Sequence, residues 1–143
     1  MDVAAILREK GTSVITSDPD ATIAEIVSTL SRERVGVVVI CKKDGALAGI
    51  VSERDIVRGL AERGPTLMDG TVSDLMTTSV TTCSPGDTVS NIMATMTARR
   101  IRHIPVIESG KLCGIISIGD AVKHRLDEIE SEADALRQYV TSA

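Results

Sequence analysis

Apolar positions along the 143-residue chain follow two periods, and the order in which those periods appear is itself repeated. Ile23, Ile26, Val27 and Leu30 fall at i, i+3, i+4 and i+7, which predicts a helix with one buried face. Thr22 followed by Glu25 reads as a capping box at its start. Residues 35–40 are almost wholly apolar and β-branched, as a strand covered on both faces should be. Lys42-Lys43-Asp44-Gly45 then predicts a hairpin turn, and 47–52 the returning strand. A closing helix is expected from near Asp55. Ahead of this block stand a short helix carrying Val3, Ile6 and Leu7 and an extended piece, Val14-Ile15-Thr16, ending at a turn with Pro19.

The same order returns in the second half of the chain. Val72, Leu75 and Met76 predict the short opening helix, Val80-Thr81-Thr82 the extended piece, and Pro85 the turn. Val89, Ile92, Met93 and Met96 repeat the helical stripe, while 104–107 and 112–117 are the two strands around a turn at Ser109-Gly110. Identical pairs include Thr12/Thr78, Ser13/Ser79, Val14/Val80, Thr16/Thr82, Pro19/Pro85, Ile26/Ile92 and Arg34/Arg100. One residue is lost in the second hairpin turn, after which Gly45/Gly110, Gly49/Gly114, Ser52/Ser117 and Asp55/Asp120 keep the match. This is a tandem duplication. The expected organisation is a first domain at 1–63, a linker at 64–71 marked by Gly64-Pro65 and Gly70, a second domain at 72–126 and a helical extension at 127–143. Halves of this size bury too little surface to stand alone, so a pseudo-symmetric pair is expected.

The tail leaves the repeat. Val122, Leu126, Ile129, Ala133, Leu136 and Val140 form a heptad-like stripe, with Asp127, Glu128, Glu130, Glu132 and Asp134 on the other faces. A helix from about Asp120 to Val140 would be about 30 Å long. It either folds onto its own domain or meets a second subunit; because the stripe outlasts the repeat, the second subunit is favoured and a homodimer is expected.

Composition narrows the function. Tyr139 is the lone aromatic residue, so the core is aliphatic and base stacking on aromatic platforms is not available. A net charge of −4 also speaks against a general polyanion binder, and no nucleic-acid partner is expected. No apolar run approaches a membrane span, and Asp2 and Arg8 interrupt the start, so neither a membrane segment nor a signal peptide is expected. Cys41, Cys83 and Cys113 form no CxxC pair, and with His103 and His124 they complete no zinc spacing. They read as ordinary thiols of a reduced, cytoplasmic protein. No Ser-His-Asp or Cys-His arrangement, phosphate-cradling glycine loop or metal cluster is apparent, so an enzyme is not expected.

The candidate chemistry lies in Gly49-Ile50-Val51-Ser52-Glu53-Arg54-Asp55 and Gly114-Ile115-Ile116-Ser117-Ile118-Gly119-Asp120. Each is a strand running into a Ser and, three residues on, an Asp at the head of a helix. An Asp carboxylate can accept both vicinal hydroxyls of a ribose, and a Ser hydroxyl with the free N–H groups of a helix start suits a phosphate. Ser-x-x-Asp is equally a helix cap, and the two roles are compatible. Glu53 and Arg54 stand where the other copy has Ile118 and Gly119, so the two sites are not equivalent. Arg99, Arg100, Arg102 and His103 form the densest basic cluster, either a solvated face or, for Arg102 and His103, a phosphate contact.

These two motifs in register, together with Arg100-Ile-Arg-His-Ile-Pro-Val106, resemble the cystathionine β-synthase (CBS) domain, and the chain is similar to a tandem CBS pair, or Bateman module. The resemblance implies an α+β fold of two pseudo-symmetric domains, each a small sheet with packed helices, here with a long C-terminal helix added. It implies a regulatory module that binds adenosine-containing ligands such as AMP, ADP, ATP, NAD(H) or S-adenosylmethionine in clefts between the halves. AMP, ATP and NADH are the ligands most expected, and flat dimers are common. Carried onto this sequence, the family pattern implies Thr16, Val35, Gly36 and Val37 for the site of Ser117 and Asp120. Thr82, Ile101, Arg102 and His103 take the matching places for the site of Ser52, Arg54 and Asp55. Gly36 would let a ligand approach the backbone. A module used only to dimerise and dock a protein partner is the alternative.

Overall fold

The computed structural model describes residues 1–142. Its elements run α1 (Val3–Lys10), β1 (Thr16–Ser17), α2 (Ile23–Glu33), β2 (Val37–Cys41), β3 (Leu47–Ser52), α3 (Glu53–Arg63), α4 (Val89–Arg99), β4 (His103–Glu108), β5 (Lys111–Ser117) and α5 (Ile118–Ser142). Short 3₁₀ stretches at Gly64–Asp69 and Val72–Asp74 carry the chain between α3 and α4. The described residues fold as two compact units: one of residues 13–81 and 109–112, the other of residues 1–12, 82–108 and 113–142. They are called the first and second unit below.

In the first unit, β1 runs parallel to β2 with Thr16 opposite Val39, and β2 runs antiparallel to β3 from Val37 opposite Ser52 to Cys41 opposite Leu47. The predicted capping box forms, with Thr22 Oγ1 accepting from the Glu25 N–H at 3.1 Å and Glu25 Oε2 accepting from the Thr22 N–H at 3.3 Å. α2 then sets Ile23, Ile26 and Leu30 against Val38, Ile40, Val51, Ile56, Leu67 and Val72 in an aliphatic core. α2 ends at Arg34 and α4 at Arg100, both in the left-handed region with φ near 54° and 55°. That conformation is strained for a non-glycine residue, and its recurrence at matched positions shows that both halves turn the chain into the following strand in the same way. Because of this turn β2 starts at Val37, two residues later than the apolar run suggests.

The second unit has β4 and β5 as a two-stranded sheet, with α1, α4 and α5 around it. Its core holds Ile92, Met96, Ile104, Val106, Ile116 and Ala121 together with Val3, Ile6 and Leu7 of α1. The opening helix of the first repeat therefore packs on elements of the second repeat. Conversely, Val72, from the start of the second repeat, lies in the core of the first unit.

Two expectations are corrected. The predicted helix around Val72, Leu75 and Met76 is a three-residue 3₁₀ turn, and the predicted extended piece at Val80-Thr81-Thr82 forms no strand, leaving a single bridge between Cys83 and Val106. The short apolar run there has too few residues to nucleate a helix. The long C-terminal helix expected from about Asp120 to Val140 forms as α5, which carries the closing helix of the second half and the extension without a break. Ala121 and His124 form its buried face, whereas Leu126 and Leu136 of the heptad stripe are 60% and 63% exposed. The stripe is not folded onto its own unit.

Candidate functional site

The candidate site grows from the junction of β3 with α3 and, in parallel, of β5 with α5. Ser52 stands at the N-cap of α3 in extended conformation. Its hydroxyl accepts from the Asp55 N–H at 3.3 Å, while Asp55 Oδ2 accepts from the Ser52 N–H at 2.9 Å and from its hydroxyl at 3.0 Å. The N–H of Glu53 donates to the Gly36 carbonyl at 2.9 Å. In the other unit Ser117 Oγ accepts from the Asp120 N–H at 3.1 Å, Asp120 Oδ2 from the Ser117 N–H at 2.9 Å, and the Arg102 carbonyl from the Ile118 N–H at 2.8 Å. Ser-x-x-Asp is thus a helix cap in both copies.

The cap decides what remains for a ligand. Oδ2 of each Asp is engaged, so the expectation that both carboxylate oxygens are open to a ribose is narrowed to Oδ1, which has no partner among the described residues. Of the first three N–H groups of each helix, the first and third are taken by a carbonyl and by the Ser hydroxyl. The second, on Arg54 or Gly119, has no partner among the described residues. One carboxylate oxygen for sugar hydroxyls beside one helix-start N–H for an anion is the chemistry the two junctions share.

The two junctions differ at a lysine. Lys10 Nζ donates to Asp120 Oδ2 at 2.7 Å and to the Ile115 carbonyl at 2.9 Å. In the first unit the equivalent carbonyl, that of Ile50, accepts instead from the backbone N–H of Thr77 at 2.9 Å, and no cation reaches Asp55 among the described residues. Burial pushes the Asp120 carboxyl up, but hydrogen bonds from Lys10 and Ser117 and the charge of Lys10 outweigh it and hold the group below its ordinary 3.8. A carboxylate depressed in the folded state contributes stability above its unfolded value and loses it as pH falls through the folded value. Lys10→Met is therefore expected to lower the urea midpoint at pH 7 by the equivalent of about 1 kcal/mol at most, since both side chains are partly exposed. The two proteins should converge at the acid limit, below the folded value, where the carboxyl is protonated. A gap that stayed constant from pH 7 to that limit would assign the loss to packing rather than to charge.

The predicted site residues fall into two sets. Thr16, Val35, Gly36 and Val37 belong to the same unit as Ser52, Arg54 and Asp55, and Thr82, Ile101, Arg102 and His103 to the same unit as Ser117 and Asp120. Within these sets Gly36 and Arg102 touch the helix starts through their carbonyls, Val37 lies opposite Ser52 in the sheet, and His103 opens β4. Arg54 and Arg102 are exposed and form no ion pair among the described residues, as do Arg99 and Arg100. Lys10 was not among the residues that sequence reasoning selected. Its signal was a length difference. A Cβ on Gly114 would meet Leu7 Cδ2 at 2.6 Å, and one on Gly49 would meet Met76 Sδ at 2.7 Å, so Leu7 and Met76 are equivalent. Thr12 and Thr78 are equivalent too, which leaves Arg8, Glu9 and Lys10 as an extra helical turn with no counterpart.

The other candidate chemistry is quiet. Cys83 is buried, and burial, then the charges of Asp87 and Cys113, push its thiol up to about 12; the thiols of Cys41 and Cys113 are also raised, chiefly by burial. Low thiolate content makes all three poor nucleophiles. Among the described residues no group of three or more His, Cys, Asp or Glu side chains is placed to hold a metal ion, and no helix is long and apolar enough to cross a membrane.

A small sheet with packed helices, duplicated, with a capped Ser-x-x-Asp at the end of each returning strand, defines a tandem α+β two-domain architecture. The CBS domain family matches residues 3–62 and 72–127, and the chain belongs to that family. Among solved structures it is similar to the CBS-domain containing protein ATU1752 of Agrobacterium tumefaciens, with 42% identity and a TM-score of 0.85, over 87% of this chain and 99% of that one. It is also similar to the CBS domain protein PAE2072 of Pyrobaculum aerophilum, solved in complex with AMP, with 30% identity and a TM-score of 0.75 over 84% and 89% of the two chains. Among curated proteins, the mitochondrial CBS domain-containing protein CBSX3 of Arabidopsis thaliana is 34% identical over 96% of this chain and 71% of its own length.

Proposed function

We propose that this protein is a non-catalytic regulatory sensor that binds adenosine-containing nucleotides, AMP, ADP, ATP or NAD(H), and signals by a change of conformation or of dimer. The observation that carries the reading is the duplicated junction, in which an Asp oxygen and a helix-start N–H are left without a partner among the described residues after the cap is made. Asp55 and Asp120 hold ribose hydroxyls, Ser52 and Ser117 hold the carboxylates in place, and the Arg54 and Gly119 amides face phosphate. The segments 35–37 and 101–103, with Thr16 and Thr82, form walls for the base, and Arg102 and His103 add cationic or polar contacts. The AMP complex of a 30% identical relative supports the ligand class.

The signal is a population shift, which requires the nucleotide to bind one geometry more tightly than another. The exposed stripe of α5 supports a second copy of the chain as the element being reset. Leu126, Ile129, Leu136 and Val140 would meet their counterparts, and Arg125 and Glu132 flank the stripe on one side while Glu130 and Arg137 flank it on the other, so opposite charges can face across a pair.

Calorimetric titration with AMP, ATP and NADH, on the wild type and on Asp55→Ala and Asp120→Ala, tests the reading. Each substitution is expected to weaken its own site at least about tenfold, the loss of one charged hydrogen bond, with thermal unfolding still cooperative. No heat from any of the three nucleotides, on protein shown to be free of co-purified ligand, would overturn the sensor. The exposed α5 stripe would then leave a dimerising docking module as the reading.

A further inference from the structure

Lys10 sits on the one group of the Asp120 site that a ribose would approach, and we propose that this lysine makes the site selective for phosphorylated adenosine ligands over neutral or cationic ones. The inference rests on the sensor reading and adds to it the charge class of the ligand. The ammonium is held by two acceptors, Asp120 Oδ2 at 2.7 Å and the Ile115 carbonyl at 2.9 Å, from the end of an extra turn of α1 that the other repeat lacks. The Ile50 carbonyl, equivalent to that of Ile115, is satisfied by a backbone amide in the first unit, so the fold does not require a lysine for this purpose.

The consequence is electrostatic. Sugar hydroxyls that hydrogen-bond to Asp120 draw its charge away from Lys10 and partly desolvate the ammonium. A phosphate on the same ligand offers the ammonium an anionic partner and offsets that cost. A neutral nucleoside offers none. A sulfonium, as in S-adenosylmethionine, places a second cation nearby and is repelled. Arg102, whose carbonyl bonds the first amide of α5 and whose side chain forms no ion pair among the described residues, adds positive charge in the same unit. At Asp55 no lysine is present and Glu53 accompanies Arg54, so the first unit discriminates less by charge.

The test is calorimetric titration with AMP, adenosine and S-adenosylmethionine in an Asp55→Ala background, so that the Asp120 site is the one read. With Lys10 intact, AMP is expected to bind at least about tenfold tighter than adenosine, the worth of one charge-assisted contact, and S-adenosylmethionine more weakly than either. Lys10→Met is expected to bring AMP and adenosine within about threefold of each other, and Lys10→Arg to restore the preference. A preference for AMP that survives Lys10→Met unchanged overturns the inference and leaves the sensor reading standing. Absence of binding by AMP and the other nucleotides to the wild-type chain overturns the sensor reading itself.

Discussion

Cutting the chain after Leu126 is expected to convert a dimer of this protein into a monomer while leaving both units folded. The deletion removes Ile129, Ala133, Leu136, Tyr139 and Val140, and of the large ones Ile129, Leu136, Tyr139 and Val140 are exposed in the single chain. Each large aliphatic side chain withdrawn from water on association contributes about 1.5–3 kcal/mol, so losing three of them abolishes pairing at micromolar concentration. The folded units should survive because the residues of α5 that are buried, Ala121 and His124, precede the cut. His124 Nε2 also lies 2.9 Å from Glu9 Oε2, a contact between α5 and α1 ahead of the deletion. Leu126→Glu with Leu136→Glu in the full-length chain is the companion variant, since it keeps the helix and places like charges across the stripe. Sedimentation equilibrium reads both. An intact chain that is already monomeric, or a truncated one that stays dimeric, removes α5 as the interface.

The second large effect is on stability, at Ile6. This residue is 1% exposed and packs in the core of the second unit with Ile92, Ile104 and Ile116, although it belongs to the first repeat. Ile6→Ala is expected to cost about 2–5 kcal/mol, through lost apolar transfer and the cavity left behind. The location of the loss is more telling than its size. Amide exchange should accelerate most in β4, β5 and α4, and least in β2 and β3. Ile26→Ala, in the core of the first unit, should give the reverse pattern. Faster exchange in β2 and β3 of the Ile6 variant would show that α1 supports the unit of its own repeat.

Much of the fold was legible because it depends on local rules. The helical stripe of Ile23, Ile26 and Leu30, the Thr22–Glu25 box and the Asp44-Gly45 turn each specify a short segment through its own periodicity or hydrogen bonds, and all three form. The misreadings fell where the pattern was too short to act alone. Three apolar residues at 72, 75 and 76 match a helical spacing as well as a 3₁₀ turn, and no sequence signal separates them once packing decides the geometry.

The candidate site divides in the same way. Ser52, Asp55, Ser117 and Asp120 could be selected from the chain because a residue pair at i, i+3 at a helix start is close in space whatever surrounds it. Gly36 and Arg102 were reachable through the family resemblance, carried onto both copies of the repeat. Lys10 was not: it meets Asp120 only because α1 packs on α5 and β5, and contact between residues so distant in sequence follows from tertiary packing.

By itself, then, the sequence determined the duplication, the class and order of the long elements, the aliphatic core, the paired Ser-x-x-Asp caps and the heptad stripe of α5. Those are properties of segments, set by spacing and side-chain chemistry within a few turns or strands. The tertiary structure alone decided that the opening segments of the two repeats exchange units, that one oxygen of each Asp is already committed to the cap, and that a lysine rests on one carboxylate and not on the other. Each of these depends on which surfaces meet, and that choice is made by the burial of the whole apolar complement rather than by any segment's own preference.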